Sequence, residues 1–299
     1  MRYSFERRLK LCSLAEHISI VGSGGPCPRI RAAMRELPKE FDRRVEELLP
    51  EIDKIEGFLT HKEMRFLALL AAVPTAEGEI LEIGSFKGRS AVLLAKAAAF
   101  SRPSTIYAVD PMTAPSVTDP DLRGESDSFT DFSRNIESAG VADRVKLLRT
   151  FSTDAAVEWD KPLRLLWIDG DHTYLGTRAD LEGFQPHLAD KSIVAMHDVL
   201  HEFDGGVRVA MEHILLSPNF GACGFVGSIA WGQYLRDEKE ALEYRKRKLS
   251  LYKKLSRLIP FVALREEPLT GWEKKRYKIA RALVPHAAID PRDWLAMLA

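Results

Sequence analysis

The chain has 299 residues, 45% of them hydrophobic, and its 43 Lys and Arg are balanced by 43 Asp and Glu, which fits one large domain with appendages or two modest domains and argues against a nucleic-acid coat. Three scattered cysteines, Cys12, Cys27 and Cys223, form neither a disulfide framework nor a zinc knuckle and point to a reducing, cytoplasmic setting. No apolar run reaches the length of a membrane span, and the charged start MRYSFERRLKLCSLAEH lacks the apolar centre of a signal peptide.

Residues 1–57 read as an N-terminal extension, with a Gly- and Pro-rich loop GSGGPCP at 22–28 and a charged helix over 38–49. Thr60-His61-Lys62-Glu63 has the spacing of a capping box and opens an apolar helix that runs to Val73. Ile80, Leu81 and Ile83 suit a strand buried on both faces, and Ala91 to Ala99 is a strong helix former. Between them, Gly84 and Gly88 let the backbone turn sharply and approach a ligand closely. Their Gly-x-x-x-Gly spacing fits neither the dinucleotide fingerprint nor a phosphate loop, so no pyrophosphate cradle is implied. Taken alone, these residues also satisfy a tight strand-to-helix turn with no ligand.

A second strand, Thr105 to Val109, ends at Asp110, where an acid can accept the hydroxyls of a ribose. The polar stretch Pro111 to Asp127 is long enough to serve as a lid that selects substrate, and a helical pattern follows over Phe129 to Ala139. Val145 to Arg149 is a third strand. Leu163 to Ile168 is a fourth and runs into Asp169-Gly170-Asp171-His172-Thr173-Tyr174. A charged helix around Asp180-Leu181-Glu182 leads to the strand Ser192 to Met196, which runs into His197-Asp198-Val199. After Gly205-Gly206 and a helix over Val207 to Leu216, Gly221 to Leu235 reads as two strands bent at Gly227. Residues 236–299 read as a basic helical appendage, which packs on the domain, clasps a second copy, lies on an anionic surface or contacts substrate.

Alternating strands and helices predict an α/β fold: a parallel sheet with helices on both faces and ligands at the carboxyl ends of its strands. Gly84, Asp110, Asp169 and the His197-Asp198 pair all fall at such ends, so one crevice can collect them. Each Asp by itself reads as a helix cap or a loop acid.

The stretch EILEIGSFKGRS together with Asp110 resembles the class I S-adenosylmethionine-dependent methyltransferases over about residues 58–234. The resemblance implies that the E-x-G-x-x-x-G loop holds the methionine part of the cofactor and Asp110 its ribose. Pairing IDGDHTY with the later MHDV resembles the group containing macrolide-sugar O-methyltransferases and cephalosporin-hydroxylase-like proteins, in which these motifs surround a divalent metal. It implies a Rossmann-like, seven-stranded, mostly parallel sheet closed by an antiparallel edge hairpin, with the domain at 58–235. The implied cofactor set is Glu82, Gly84, Ser85, Gly88, Ser90, Asp110, Ser152 and Asp169; for Ser152 a helix N-cap is the other role.

The implied metal set is Asp169, His197 and Asp198, around Mg²⁺ or another divalent cation. His197 departs from the acidic pair of many relatives, so either an ion that accepts nitrogen, such as manganese, is bound or His197 points away. His172 and Asp171 are general-base candidates, and orienting Asp169 is the other role for His172. The expected activity is metal-assisted O-methylation of a small hydroxylated substrate, a sugar or glycosylated natural product being favoured by resemblance. Other chemistry in the same pocket and a non-catalytic nucleoside-binding module are the alternatives. Expected partners are a small molecule and, through the terminal helices, a second copy of the chain.

Overall fold

A computed structural model describes residues 36–112, 128–263 and 268–298. The loop at 22–28, Cys12, Cys27 and residues 113–127 of the lid expected over Pro111 to Asp127 lie outside the described residues. Seven strands, β1 Glu79–Ile83, β2 Ile106–Val109, β3 Val145–Leu148, β4 Leu163–Ile168, β5 Leu188–Met196, β6 Phe220–Val226 and β7 Ile229–Tyr234, form one sheet in the order β3-β2-β1-β4-β5-β7-β6. The first five are parallel, and β7 pairs antiparallel with both β5 and β6. This is the expected architecture, including the edge hairpin, whose turn is Gly227 at φ +61° followed by Ser228.

Strand pleating divides the core. Ile80, Ile106, Ala108, Leu165, Trp167 and Ala195 face one layer, while Leu81, Ile83, Tyr107, Val109, Leu166, Ile168 and Met196 face the other. Three helices cover the first face: α1 Phe41–Ile52, α2 His61–Ala72 and α3 Arg89–Ala98. Helix α4, Phe129–Ser138, adds Phe132 and Ile136 to that layer. The second face takes α5 Ser152–Glu158, α6 Tyr174–Phe184 and α7 Asp204–Val209, which runs on into a π-turn over Ala210–Leu215.

The C-terminal residues form α8 Glu238–Leu242, α9 Arg245–Leu255, α10 Ile259–Val262, α11 Gly271–Ala282 and α12 Pro291–Met297. Their apolar residues join both layers. Leu251, Leu255, Val262 and Tyr277 enter the second, and Trp294 packs against Phe66 and Trp231 in the first, with ring centroids 6.4 and 6.0 Å away. Among the described residues, no helix is long and apolar enough to cross a membrane.

Parallel register aligns the strand ends. Gly84 N–H donates to Val109 O (3.0 Å), Asp110 N–H to Leu148 O (3.2 Å), Asp169 N–H to Ile83 O (2.8 Å) and His197 N–H to Ile168 O (2.9 Å). The first residue beyond each of four strands is thereby locked to its neighbour, and the candidate side chains stand in one row.

Candidate active site

The turn after β1 is built around a carboxylate. Gly84, Phe86 and Gly88 have φ of +82°, +45° and +87°, a sequence of left-handed residues that turns successive N–H groups inward as an anion nest. Asp110 fills it: Oδ2 accepts from Ser85 N–H (2.8 Å) and Phe86 N–H (2.9 Å), and Oδ1 from Met112 N–H (2.8 Å). A carboxylate offers about four acceptor directions, and these described backbone donors take three of them. Gly84 is required by space as well as by φ, since a Cβ there would lie 2.2 Å from Asp169 O.

Glu82 is fully buried beneath this turn. Ser85 Oγ donates to its Oε2 (2.7 Å), and Ser90 also hydrogen-bonds it. Burial pushes its carboxyl up to about 8 against these hydroxyls, with the charges of Asp169 and Asp110 adding to the rise. Glu82, Ser85 and Ser90 therefore brace the turn from within. On its outer side the rings of Phe58 and Phe86 stack at 6.4 Å.

Asp169 and Asp198 come together, as their places at adjacent strand ends predict, and both histidines lie against them. One carboxylate oxygen each from Asp169 and Asp198 and a ring nitrogen of His172 all lie within 4.8 Å of one another. His172 reaches Asp198 Oδ2 (3.6 Å) and stacks on Phe203 at 4.7 Å. The pleat sends His197 to the layer of Trp167 and Ala195, where it is 6% exposed and lies 5.7 Å from the Trp167 ring. Its Nδ1 faces Asp169 Oδ1 (3.0 Å) and Asp198 Oδ1 (3.3 Å), and Nε2 faces Glu63 Oε2 (3.7 Å).

Burial alone would favour a neutral His197, but the charges of Asp169 and Asp198 outweigh it and hold the imidazole protonated well above its ordinary range. Asp198 is held far below the carboxylate range, because the His197 charge and hydrogen bond overcome its burial. Asp169 goes the other way, pushed up mainly by burial. Asp198 also has φ +53°, a turn that swings its carboxylate back toward Asp169.

Several residues at this site carried no clear sequence signal. Glu63 completes the predicted capping box by accepting from Thr60 N–H (2.9 Å), yet it is only 4% exposed, and its other oxygen accepts from Ser228 N–H (2.6 Å) and Oγ (2.7 Å). Burial raises its carboxyl, but His197 and Ser228 together bring it well below the usual range. His201 lies 3.6 Å from Asp198 Oδ1, a neighbour that the His197-x-x-x-His201 spacing could have suggested. Tyr277 Oη sits between Leu200 O (2.7 Å) and His201 O (2.6 Å), pinning the loop after β5 from the C-terminal helices.

Two residues named in the sequence turn elsewhere. Asp171 accepts from Thr173 N–H (2.9 Å) and Oγ1 (3.0 Å) at the start of α6. Ser152 does not cap α5, whose N-cap is Phe151; its hydroxyl donates to Asp180 Oδ1. Asp180, in the helix read as charged, is 4% exposed, and burial pushes its carboxyl up to about 6.

Residues 81–199, from within β1 to the loop that carries Asp198, match the methyltransferase domain family. This part of the chain is a methyltransferase domain. Its fold is shared with the O-methyltransferase NovP, which superposes with a TM-score of 0.52 at 15% identity over 70% of this chain and 99% of that one. The calicheamicin methyltransferase CalS11 aligns at 21% identity and a TM-score of 0.47, over 72% of this chain and 100% of that one. An uncharacterised protein of Sinorhizobium fredii, y4gI, is 30% identical over 152 residues, which span 49% of this chain and 16% of that protein.

Proposed function

We propose that this methyltransferase domain transfers the methyl group of S-adenosylmethionine to a hydroxyl of a small molecule, with a divalent cation assisting. The observation that carries this reading is the convergence of Asp169, His172 and Asp198 within 4.8 Å, one residue row from the Gly84 turn and Asp110. Binding the cofactor alone requires no such cluster.

Methyl transfer from a sulfonium is an in-line displacement, so the protein's task is to align oxygen, methyl and sulfur and to exclude water. The Gly84–Gly88 turn would hold the methionine part, and Asp110 one ribose hydroxyl. Two carboxylates and an imidazole fit manganese or a similar ion that accepts nitrogen better than magnesium. Such a cation, when bound, lowers the pKa of an acceptor hydroxyl. In this arrangement His172 replaces the expected His197 as third ligand, and His197 serves as the buried cation that keeps Asp198 ionised. His201, half exposed beside Asp198, is placed to take the acceptor's proton. The resemblance of IDGDHTY and MHDV favours a sugar or glycosylated natural product as acceptor, in a cytoplasmic setting.

The test combines calorimetry with S-adenosylhomocysteine, manganese titration followed by electron paramagnetic resonance, and a tritiated-methyl assay on a panel of sugars and phenols. Micromolar binding of the nucleoside, manganese binding lost in Asp169→Asn and Asp198→Asn, and chelator-sensitive turnover are expected. Turnover that persists in a metal-free preparation would reject metal assistance, and absence of any heat with the nucleoside would reject the cofactor.

A further inference from the structure

The outer face of α11 is built unlike a solvated helix face. Tyr277 points inward, and Val284 just beyond the helix is buried with it. On the opposite side Trp272, Ile279 and Leu283 are 70%, 64% and 49% exposed. At 100° per residue these three fall within about 40° of arc, forming a narrow apolar stripe. Lys275 and Arg276 flank it, Lys278 lies further round on the Lys275 side, and Lys275 Nζ lies 5.8 Å from the Trp272 ring.

We propose that this face docks on an anionic lipid bilayer. An interfacial helix needs an apolar stripe to enter the acyl boundary, basic residues beside it to meet headgroups, and is favoured by a tryptophan, whose ring is apolar with one polar edge. All three are present on one face. The charge distribution agrees: residues 236–299 hold sixteen Lys and Arg against nine Asp and Glu, whereas residues 36–235 hold twenty against thirty-two. Helix α11 itself carries Lys274, Lys275, Arg276, Lys278 and Arg281 against the single acid Glu273, so an anionic surface attracts this helix while the acidic remainder of the chain is repelled, which favours contact through α11.

Other occupants fit less well. A two-fold dimer through this face would set one basic helix against another. Residues 1–35 carry seven Lys and Arg against two acids, the same sign as the face they would have to cover. Nucleic acid would satisfy the lysines and leave the apolar stripe in water. The proposal is independent of the methyl-transfer reading, since none of its residues belongs to the candidate active site.

The full-length chain would be floated with vesicles of phosphatidylcholine alone and of phosphatidylcholine with about one-third phosphatidylglycerol. The four other tryptophans, Trp159, Trp167, Trp231 and Trp294, are all at most 8% exposed, so quenching by brominated lipid reports on Trp272. Flotation is expected with the anionic vesicles only, with quenching that disappears in Trp272→Phe. Each basic residue near such a surface contributes about 1 kcal/mol, so the double variant Lys275→Glu, Lys278→Glu should weaken partitioning at least roughly tenfold. Trp272→Ser with Ile279→Ser should abolish it while the melting temperature stays unchanged. Three outcomes would overturn the proposal: no flotation with anionic vesicles, equal flotation with neutral ones, or flotation indifferent to these variants. A dimer in light scattering that the Trp272→Ser, Ile279→Ser variant dissolves would replace the bilayer with a second copy.

Discussion

Glu82 shows how one buried carboxyl can make a whole domain pH-sensitive. Its folded-state pKa, raised by burial to about 8, exceeds the ordinary value of 4.5, so the folded chain holds a proton that the unfolded chain releases between those limits. Stability attributable to this group is therefore greatest at low pH and falls as pH rises through that window, by up to about 1.4 kcal/mol per unit. Glu82→Gln keeps an acceptor for Ser85 and carries no charge. Its melting temperature should change less than the wild type's between about pH 5 and pH 8, which calorimetric scans across that range would check. His197 has the opposite chemistry in the same layer, a buried cation among Glu63, Asp169 and Asp198. Removing one partner of such a cluster leaves uncompensated charge, so His197→Ala should cost about 3–5 kcal/mol in denaturant titration.

Among the elements, the C-terminal helices act on the site from behind. Tyr277 on α11 hydrogen-bonds to Leu200 O and His201 O, and Lys274 pairs with Glu202 Oε1 at 3.2 Å, so the loop carrying Asp198 is tied to a helix some eighty residues later in the chain. Tyr277→Phe removes about 1 kcal/mol of hydrogen bonding. We expect manganese affinity to fall roughly fivefold while S-adenosylhomocysteine affinity, which depends on β1 and β2, stays unchanged. Paired calorimetric and resonance titrations would separate this positioning effect from general loosening, which would weaken both. Helix α12 has a different task. Trp294 is fully buried against Phe66 and Trp231, and Trp294→Ala should cost about 3–5 kcal/mol of stability.

At the scale of the molecule, the row of strand ends couples ligand binding to stability. A ligand that binds only the folded chain stabilises it by mass action, about 2.7 kcal/mol at a hundred times its dissociation constant. S-adenosylhomocysteine should therefore raise the melting temperature of the wild type. Asp110→Ala should lower the starting temperature, because Ser85, Phe86 and Met112 N–H lose their acceptor, and should largely abolish the ligand-induced rise. A full rise in the variant would show that the nucleoside does not use this carboxylate.

The apolar runs of β1, β2 and β4, the glycines after β1 and the acids that follow β2 and β4 were legible because they follow from local chemistry: continuous burial, permitted φ and the end of a hydrogen-bonded run. Right-handed crossovers then place those ends in one row with no knowledge of side-chain contacts. Which histidine faces the crevice was not legible. The pleat assigns His197 to the layer of Trp167, but the side covered by α2 is fixed only when that helix packs and brings Glu63 within reach. The same holds for Asp180, whose burial depends on α5 lying against α6, and for Tyr277, whose partners stand 76 and 77 positions away. Local rules set where each chemical group leaves the backbone; the packing of distant helices sets which of them meet, because burial and pairing are properties of the assembled layers.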